Sequence, residues 1–309
     1  LATRSVVLIG GPDSGKTNYL GRLWPSFHKR KGELRADCIP ADISYVDAAA
    51  EHLMKGKFAP RSDRNLEVGR SDFSIDVRAQ GGSGALRTLM VPDISGELWT
   101  RAVATSEISA EWMSLLQNAE GAILFLRHDS DQTVQPLDWV NARSVLQLFT
   151  TEEEGLGGAE LFELPNQEAP DIDVMETSEP RIPTQVLLCE LFRFLEFLLA
   201  ERNDGGAPRL SVVIAAWDRM DSESRDDSPI AYLEKEFPLF AGRLACESRL
   251  DIKVFGLSII GGDLDDDPDF RSEFLKNDLS EQGYVVVQND DRFEIVNDVT
   301  LPIAWAIGE

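Results

Sequence analysis

This 309-residue chain is poor in cysteine and histidine, with 3 of each, and short of positive charge, with 30 Lys plus Arg against 54 Asp plus Glu. Cys38, Cys189 and Cys246 are odd in number and lack metal-ligand spacing, which excludes a disulfide framework and a zinc site and fits a reducing, cytoplasmic setting. His28, His52 and His128 are too scattered to form a ligand pair. A formal net charge of −24 argues against general affinity for nucleic acid or anionic membranes, so no nucleic-acid partner is expected. No apolar run approaches the roughly 18 residues of a membrane span, and the start lacks a basic-then-apolar leader, so no membrane insertion is expected. The chain begins with Leu1 rather than Met, which leaves upstream residues open. Its 43% hydrophobic content is enough for a substantial core.

Val6-Val7-Leu8-Ile9 reads as a buried strand running into Gly10-Gly11-Pro12-Asp13-Ser14-Gly15-Lys16-Thr17, a complete GxxxxGK[ST] phosphate-binding loop. The helix-compatible stretch Asn18 to Trp24 follows, so the motif has the strand and helix it requires. Backbone N–H groups of Gly10, Asp13, Ser14, Gly15 and Asn18, with Lys16 and Thr17, form the expected phosphate cradle at a positive helix N-terminus. Lys16 would reach the β- and γ-phosphates, and the Thr17 hydroxyl would ligate Mg²⁺.

Strand-like runs recur at Ser5–Ile9, Phe73–Arg78, Leu86–Val91, Gly121–Leu126, Leu210–Ala216 and Ile252–Leu257, mostly separated by helix-compatible stretches. The fold class expected is therefore α/β: a three-layer P-loop sandwich on a mainly parallel sheet. One antiparallel edge strand follows from the short link Gln80 to Ala85, which makes the second and third runs a hairpin. The whole of 1–309 reads as one domain. Within it, residues 150–184 lose periodicity and gain acid, proline and glycine, and read as a flexible acidic insertion. Gln185 to Arg202 reads as a helix packed on the sheet. Tyr284–Val287 and Phe293–Val296 flank Asn289-Asp290-Asp291 as a hairpin, and Leu301–Ile307 reads as a short closing helix.

A phosphate loop does not by itself separate GTPases, ATPases and kinases. The second informative stretch is Leu89-Met90-Val91-Pro92-Asp93-Ile94-Ser95-Gly96-Glu97, in which an apolar strand delivers Asp93, with Gly96 three residues on. A strand-end aspartate beside a phosphate loop holds Mg²⁺ through water, and a glycine N–H can sense the γ-phosphate.

With these residues the chain resembles the translation-factor-related class of P-loop GTPases, which includes the Ras-like proteins, over most of its length. Its phosphate loop, Asp93–Glu97, the strand ending in Trp217-Asp218, and Leu301-Pro302-Ile303-Ala304-Trp305 most resemble the double-GTPase group of bacterial conflict systems. The resemblance implies GTP/GDP and Mg²⁺ as ligands, slow hydrolysis, and a molecular switch read by a partner protein, an effector or regulator that could be encoded nearby. It also implies site residues. Lys16, Gly96 and Glu97 would serve the reaction, while Thr17, Asp93 and Ser62 would serve the metal. Asp218 and Ser258 would serve the base.

The chain departs from that family's pattern in three places. The Asn/Thr-Lys-x-Asp base motif is represented by Ala215-Ala216-Trp217-Asp218-Arg219-Met220-Asp221, and either Asp218, which follows the strand directly, or Asp221 could read guanine. Ser258 is followed by Ile259 rather than Ala. No threonine lies between Thr17 and Thr88, so Ser62 is the candidate hydroxyl of the first switch. Glu97 occupies the position of a water-orienting glutamine; there it acts as a base with a raised pKa or keeps intrinsic hydrolysis slow until a partner intervenes. Arg61, Arg64 and Arg101 lie near the presumed switches, where exposed arginines are mostly solvated charge. Asp263 to Asp269 opens like a calcium loop but has Pro268 where glycine is needed and Phe274 where a glutamate should close it, so it reads as a solvated acidic loop. Two alternatives to a switch GTPase remain at this point: a pseudo-GTPase scaffold that binds nucleotide without turnover, and an ATP-using P-loop enzyme.

Overall fold

The computed structural model describes residues 5–11, 13–40, 42–60, 73–80, 86–91, 102–103, 105, 107–128, 130, 133, 182–221, 228–246, 248–289 and 292–308. Nine strands form one sheet in the order β2-β3-β4-β1-β5-β6-β7-β8-β9. They are β1 Ser5–Gly10, β2 Leu34–Ala36, β3 Phe73–Ala79, β4 Arg87–Val91, β5 Ala119–Arg127, β6 Arg209–Ala215, β7 Asp251–Ser258, β8 Tyr284–Asn289 and β9 Arg292–Val296. The central five, β4-β1-β5-β6-β7, are parallel. All six runs expected from sequence are strands.

Antiparallel pairing lies outside that block. β3 pairs antiparallel with β4, from Phe73↔Val91 to Val77↔Arg87, as the short link required. The sheet carries more antiparallel strands than the one edge strand expected: β2 adds antiparallel to β3, and the C-terminal hairpin, expected from sequence and here β8–β9, adds antiparallel to β7.

β1 is buried on both faces, as a central parallel strand must be. Its alternate side chains divide the core. Val7 and Ile9 face a layer built by α3 (Ala110–Gln117), α4 (Thr184–Leu198), α5 (Pro229–Glu236) and α6 (Pro238–Ala245), centred on Phe192, Trp217 and Phe240. Val6 and Leu8 face α1 (Lys16–Lys29), α2 (Ser44–Met54) and α8 (Leu301–Ile307), centred on Tyr19, Leu23, Phe27 and Ile303. The helix expected over Gln185 to Arg202 is α4, which stops at Leu198. The sequence reading missed α2, which packs so closely on α1 that a Cβ at Gly21 would lie 2.8 Å from Ala49 C and Ala50 N.

α1 is clamped to the C-terminal segment. The Arg22 side chain is buried, and its guanidinium donates to Ser26 Oγ (2.6 Å), Gln282 O (2.9 Å) and Ser280 O (3.1 Å). Burial lowers its pKa to about 10, against the nearby charge of Asp298. Tyr19 Oη donates to Val299 O at 2.8 Å. The helix that opens at the phosphate loop is therefore held from its far side by residues about 260 positions away.

Candidate functional site

The phosphate loop leaves the C-terminal end of β1 and closes onto the first turn of α1. Gly10 must be glycine because a Cβ there would lie 2.7 Å from Phe125 O and 2.9 Å from Ser14 Oγ. Asp13 (φ 57°) and Gly15 (φ 87°) are both left-handed, a turning pattern that aims successive N–H groups into one concavity. Lys16 folds over that concavity: its ammonium donates to Gly10 O (2.6 Å), Gly11 O (2.9 Å) and Ser14 Oγ (3.0 Å). Desolvation there lowers the Lys16 pKa from 10.5 to about 8. Thr17 follows on the first turn of α1, half-buried. Asn18 turns its side-chain oxygen to accept from Ala59 N–H at 2.8 Å, which joins α1 to the segment after α2.

The loop is also held from β5. Arg127, at the end of that strand, makes an ion pair with Asp13 at 2.8 Å, and Ser130 Oγ donates to the other Asp13 oxygen at 3.3 Å. Next to Arg127, His128 N–H donates to Ala215 O at 3.0 Å. Sequence reading singled out Asp13 but not Arg127, since nothing in a chain of single residues pairs positions 114 apart.

The end of β6 lies against the same loop: a Cβ at Gly15 would meet Ala215 Cβ at 3.6 Å. From Ala215 the chain turns through Ala216, left-handed at φ 60°, ψ 38°, into the 3₁₀ turn Trp217–Arg219. Trp217 is fully buried and packs against Gly256 of β7, where a Cβ would come within 2.5 Å of the indole. With its neighbour thus anchored, Asp218 is only half-buried. Ser258, fully buried at the end of β7, donates its hydroxyl to the Asp218 carboxylate and accepts from Gly261 N–H at 2.8 Å. Desolvation raises the Asp218 pKa, with Asp263 adding to the rise; the Ser258 hydrogen bond and Arg219 oppose it. Asp221 is exposed. Of the two aspartates left open by the sequence, Asp218 is the one joined to Ser258.

The acidic stretch after β7 is spent on turns. Asp263 Oδ1 accepts from Asp265 N–H (2.8 Å) and Asp266 N–H (3.1 Å), and Asp267 caps α7 (Pro268–Phe274) through Asp269 and Phe270 N–H. Asp263 also pairs with Arg219 at 3.4 Å. Among the described residues no group of three or more His, Cys, Asp or Glu could hold a metal ion, and no helix is long and apolar enough to cross a membrane.

Lys16, Thr17, Asp13, Ser14, Gly15 and Gly10 are thus gathered at the C-terminal end of β1. The Asp218–Ser258 pair stands two and three strands away, at the same end of the parallel block. Ligands of open α/β sheets bind at that end. Ser62, Asp93, Gly96 and Glu97, Arg61, Arg64 and Arg101, and most of 150–184 lie outside the described residues.

Comparison with known proteins gives one family model, Double-GTPase 1, which matches residues 7–306. No curated protein matches in sequence. Among solved structures the chain is similar to the Saccharomyces cerevisiae Ski7 GTPase-like domain bound to GDP and inorganic phosphate, at 12% identity and a TM-score of 0.37, over 83% of this chain but only 43% of that one. It is also similar to the signal recognition particle receptor SRb-GTP/SRX complex from Chaetomium thermophilum, at 12% identity and a TM-score of 0.34, over 89% of this chain and 97% of that one. A third, the mammalian SRP receptor, has 14% identity and a TM-score of 0.32 over 88% and 99%.

Proposed function

Because this chain belongs to the Double-GTPase 1 family, a membership that supports guanine-nucleotide binding, we propose that it is a Mg²⁺-dependent molecular switch that binds GTP and hydrolyses it slowly. The observation that carries the guanine reading is the hydrogen bond from Ser258 to Asp218, on a turn packed beside the phosphate loop. An ionised carboxylate held there can accept from two adjacent N–H donors of guanine, a pattern adenine cannot satisfy.

At the other end, Lys16 and the loop N–H groups hold the phosphates. The donor chemistry suits Mg²⁺, a hard ion that keeps several waters and takes one or two protein oxygens beside substrate phosphates: the Thr17 hydroxyl, with Asp93 through water and Ser62 completing the set. Bound there, Mg²⁺ would neutralise charge on the phosphates. Gly96 would sense the γ-phosphate, and Glu97, at the position of a water-orienting glutamine, would keep turnover slow through repulsion between its carboxylate and the phosphate. The loops around Ser62 and Asp93 to Glu97 are the switched surface, read by a partner protein. In the bacterial conflict systems that the chain resembles, such a partner would be an effector or a cognate regulator.

The experiment is isothermal titration of nucleotide-free protein with the Mg²⁺ complexes of GTP, GDP and ATP, repeated on Asp218→Ala and Asp221→Ala. Selective GTP and GDP binding lost in Asp218→Ala alone supports the reading. Equal or tighter ATP binding would sink the guanine assignment.

A second reading draws on Ala215 and Ala216. They stand where the family carries Asn/Thr and Lys, so the side chains that tie the base turn to the loop and cover the base are absent. A scaffold that holds GTP without turnover fits this reduction, and GTP left intact after long incubation with Mg²⁺ and the partner would favour it.

A further inference from the structure

The phosphate loop carries a negative side chain of its own. Asp13 is the fourth residue of the GxxxxGKT motif, and its carboxylate stands on the loop meant to receive a polyanion. Two groups from the exit of β5 hold it: Arg127 at 2.8 Å on one oxygen and Ser130 Oγ at 3.3 Å on the other. Arg127 is well placed to do this because it ends a strand that is paired on both sides up to Phe125 and is itself paired with β6. In the parallel register Phe125 stands opposite Gly10, the first residue of the loop, and Arg127 stands opposite Ala215 of β6. The pair is also sheltered, at 28% and 20% side-chain exposure, so solvent screens it less than an open surface pair. Asp13 is moreover one of three non-glycine residues with positive φ among the described residues, so the loop depends on its holding a left-handed conformation.

We infer that Arg127 is a positioning and charge-compensating residue for the phosphate site: it pins Asp13 in the left-handed turn and cancels a carboxylate that would otherwise repel the nucleotide's phosphates. The inference rests on the guanine-nucleotide reading above. Without the guanidinium, Asp13 would present unbalanced charge to the bound nucleotide, and the cost would grow with the number of phosphates, so GTP would suffer more than GDP. Arg127 need not touch the nucleotide for this, which separates its role from that of Lys16.

The test measures Kd for Mg²⁺–GTP and Mg²⁺–GDP in wild type, Arg127→Ala, Asp13→Asn and the double variant, with thermal unfolding on each. Arg127→Ala should weaken GTP by roughly tenfold and GDP by about threefold, with the GTP defect shrinking as salt rises from about 0.05 M to about 0.5 M. Asp13→Asn should bind GTP at least as well as wild type. The double variant should return to within about threefold of wild type, because removing the carboxylate removes the need for its counter-ion. A merely structural arginine would not be rescued in this way. Unchanged binding in Arg127→Ala, or a double variant no better than Arg127→Ala, overturns the inference while leaving the nucleotide site standing. A wild-type chain that binds neither nucleotide overturns the site reading and this inference together.

Discussion

The two ends of the site are built differently. The phosphate end has every part of its motif, and its binding groups are mostly backbone, set by Gly10, Asp13 and Gly15, with one cation, Lys16, folded over them. The proposed base end is reduced to Asp218 and its hydroxyl partner Ser258, with Ala215 and Ala216 where the family pattern has longer polar side chains. Backbone recognition of phosphate tolerates almost no sequence variation, because a Cβ at the wrong place collides or an N–H turns away. Base recognition, as proposed, would rest on one carboxylate, which follows Trp217 where that residue packs on Gly256. Affinity should therefore reside at the phosphate end and specificity at the base end, and mutations should separate the two.

The largest break is expected at Lys16. In Lys16→Ala the β-phosphate, and the γ-phosphate where present, lose their cation, and the loop loses three hydrogen bonds that close it. Affinity for GTP, GDP and ATP should fall alike, by on the order of a hundredfold, in titration calorimetry. Asp218→Ala should instead spare the phosphate end. The expected result is loss of GTP affinity by roughly tenfold to a hundredfold with ATP affinity unchanged, so that nucleotide preference disappears. If both variants weakened ATP and GTP equally, the division of labour would be wrong.

This division also governs what the sequence disclosed. The phosphate loop was legible because its chemistry is local: eight consecutive residues carry the whole device, and the strand and helix beside them supply context. The parallel block was legible for a related reason, since strands buried on both faces, such as β1, β5 and β6, are continuous apolar runs. The hydrogen bond between Asp218 and Ser258 was not legible, because the two residues lie 40 positions apart in the chain. Arg127 was missed for the same reason. β2 and α2 were missed because three residues of strand, and a helix with Ala48-Ala49-Ala50 at its centre, give little periodic signal, while their partners on β3 and α1 lie elsewhere in the chain.

Intermediate effects should come from the residues that hold Asp218. Ser258→Ala removes the hydrogen bond that favours the ionised carboxylate, so GTP affinity should fall roughly threefold to tenfold and the Asp218 pKa should rise further. Gly256→Ala forces a methyl group into the Trp217 indole, which should destabilise the fold by about 1–3 kcal/mol in chemical denaturation. At a temperature where Gly256→Ala remains folded, its GTP-to-ATP preference should fall while its ATP affinity holds. Loss of both in parallel would mean that Trp217 supports the sheet generally rather than the base turn.

The mildest separation needs no mutation, because the two ends titrate in opposite directions. Burial lowers Lys16 to about 8 in the empty site, and bound phosphate would raise it again, so binding at higher pH must recapture a proton. Affinity for all nucleotides should therefore decline as pH rises above about 8, by up to tenfold per unit well above that point. Asp218 is shifted the other way, so its carboxylate takes up a proton at a higher pH than an ordinary aspartate. Protonation removes the acceptor pair, and guanine preference should decay on mild acidification while ATP binding stays level. Neither change can be mistaken for unfolding driven by the same group. The empty folded site gives up the Lys16 proton before the unfolded chain does, so this lysine favours folding increasingly between about 8 and 10.5, while affinity falls. Asp218 takes up its proton in the folded state first, so it favours folding as pH drops, while guanine preference falls. Titrations with GTP and ATP at three pH values, with melting temperatures alongside, would show the alkaline arm shared by both nucleotides and the acid arm confined to GTP. A shared acid arm would remove Asp218 from base recognition.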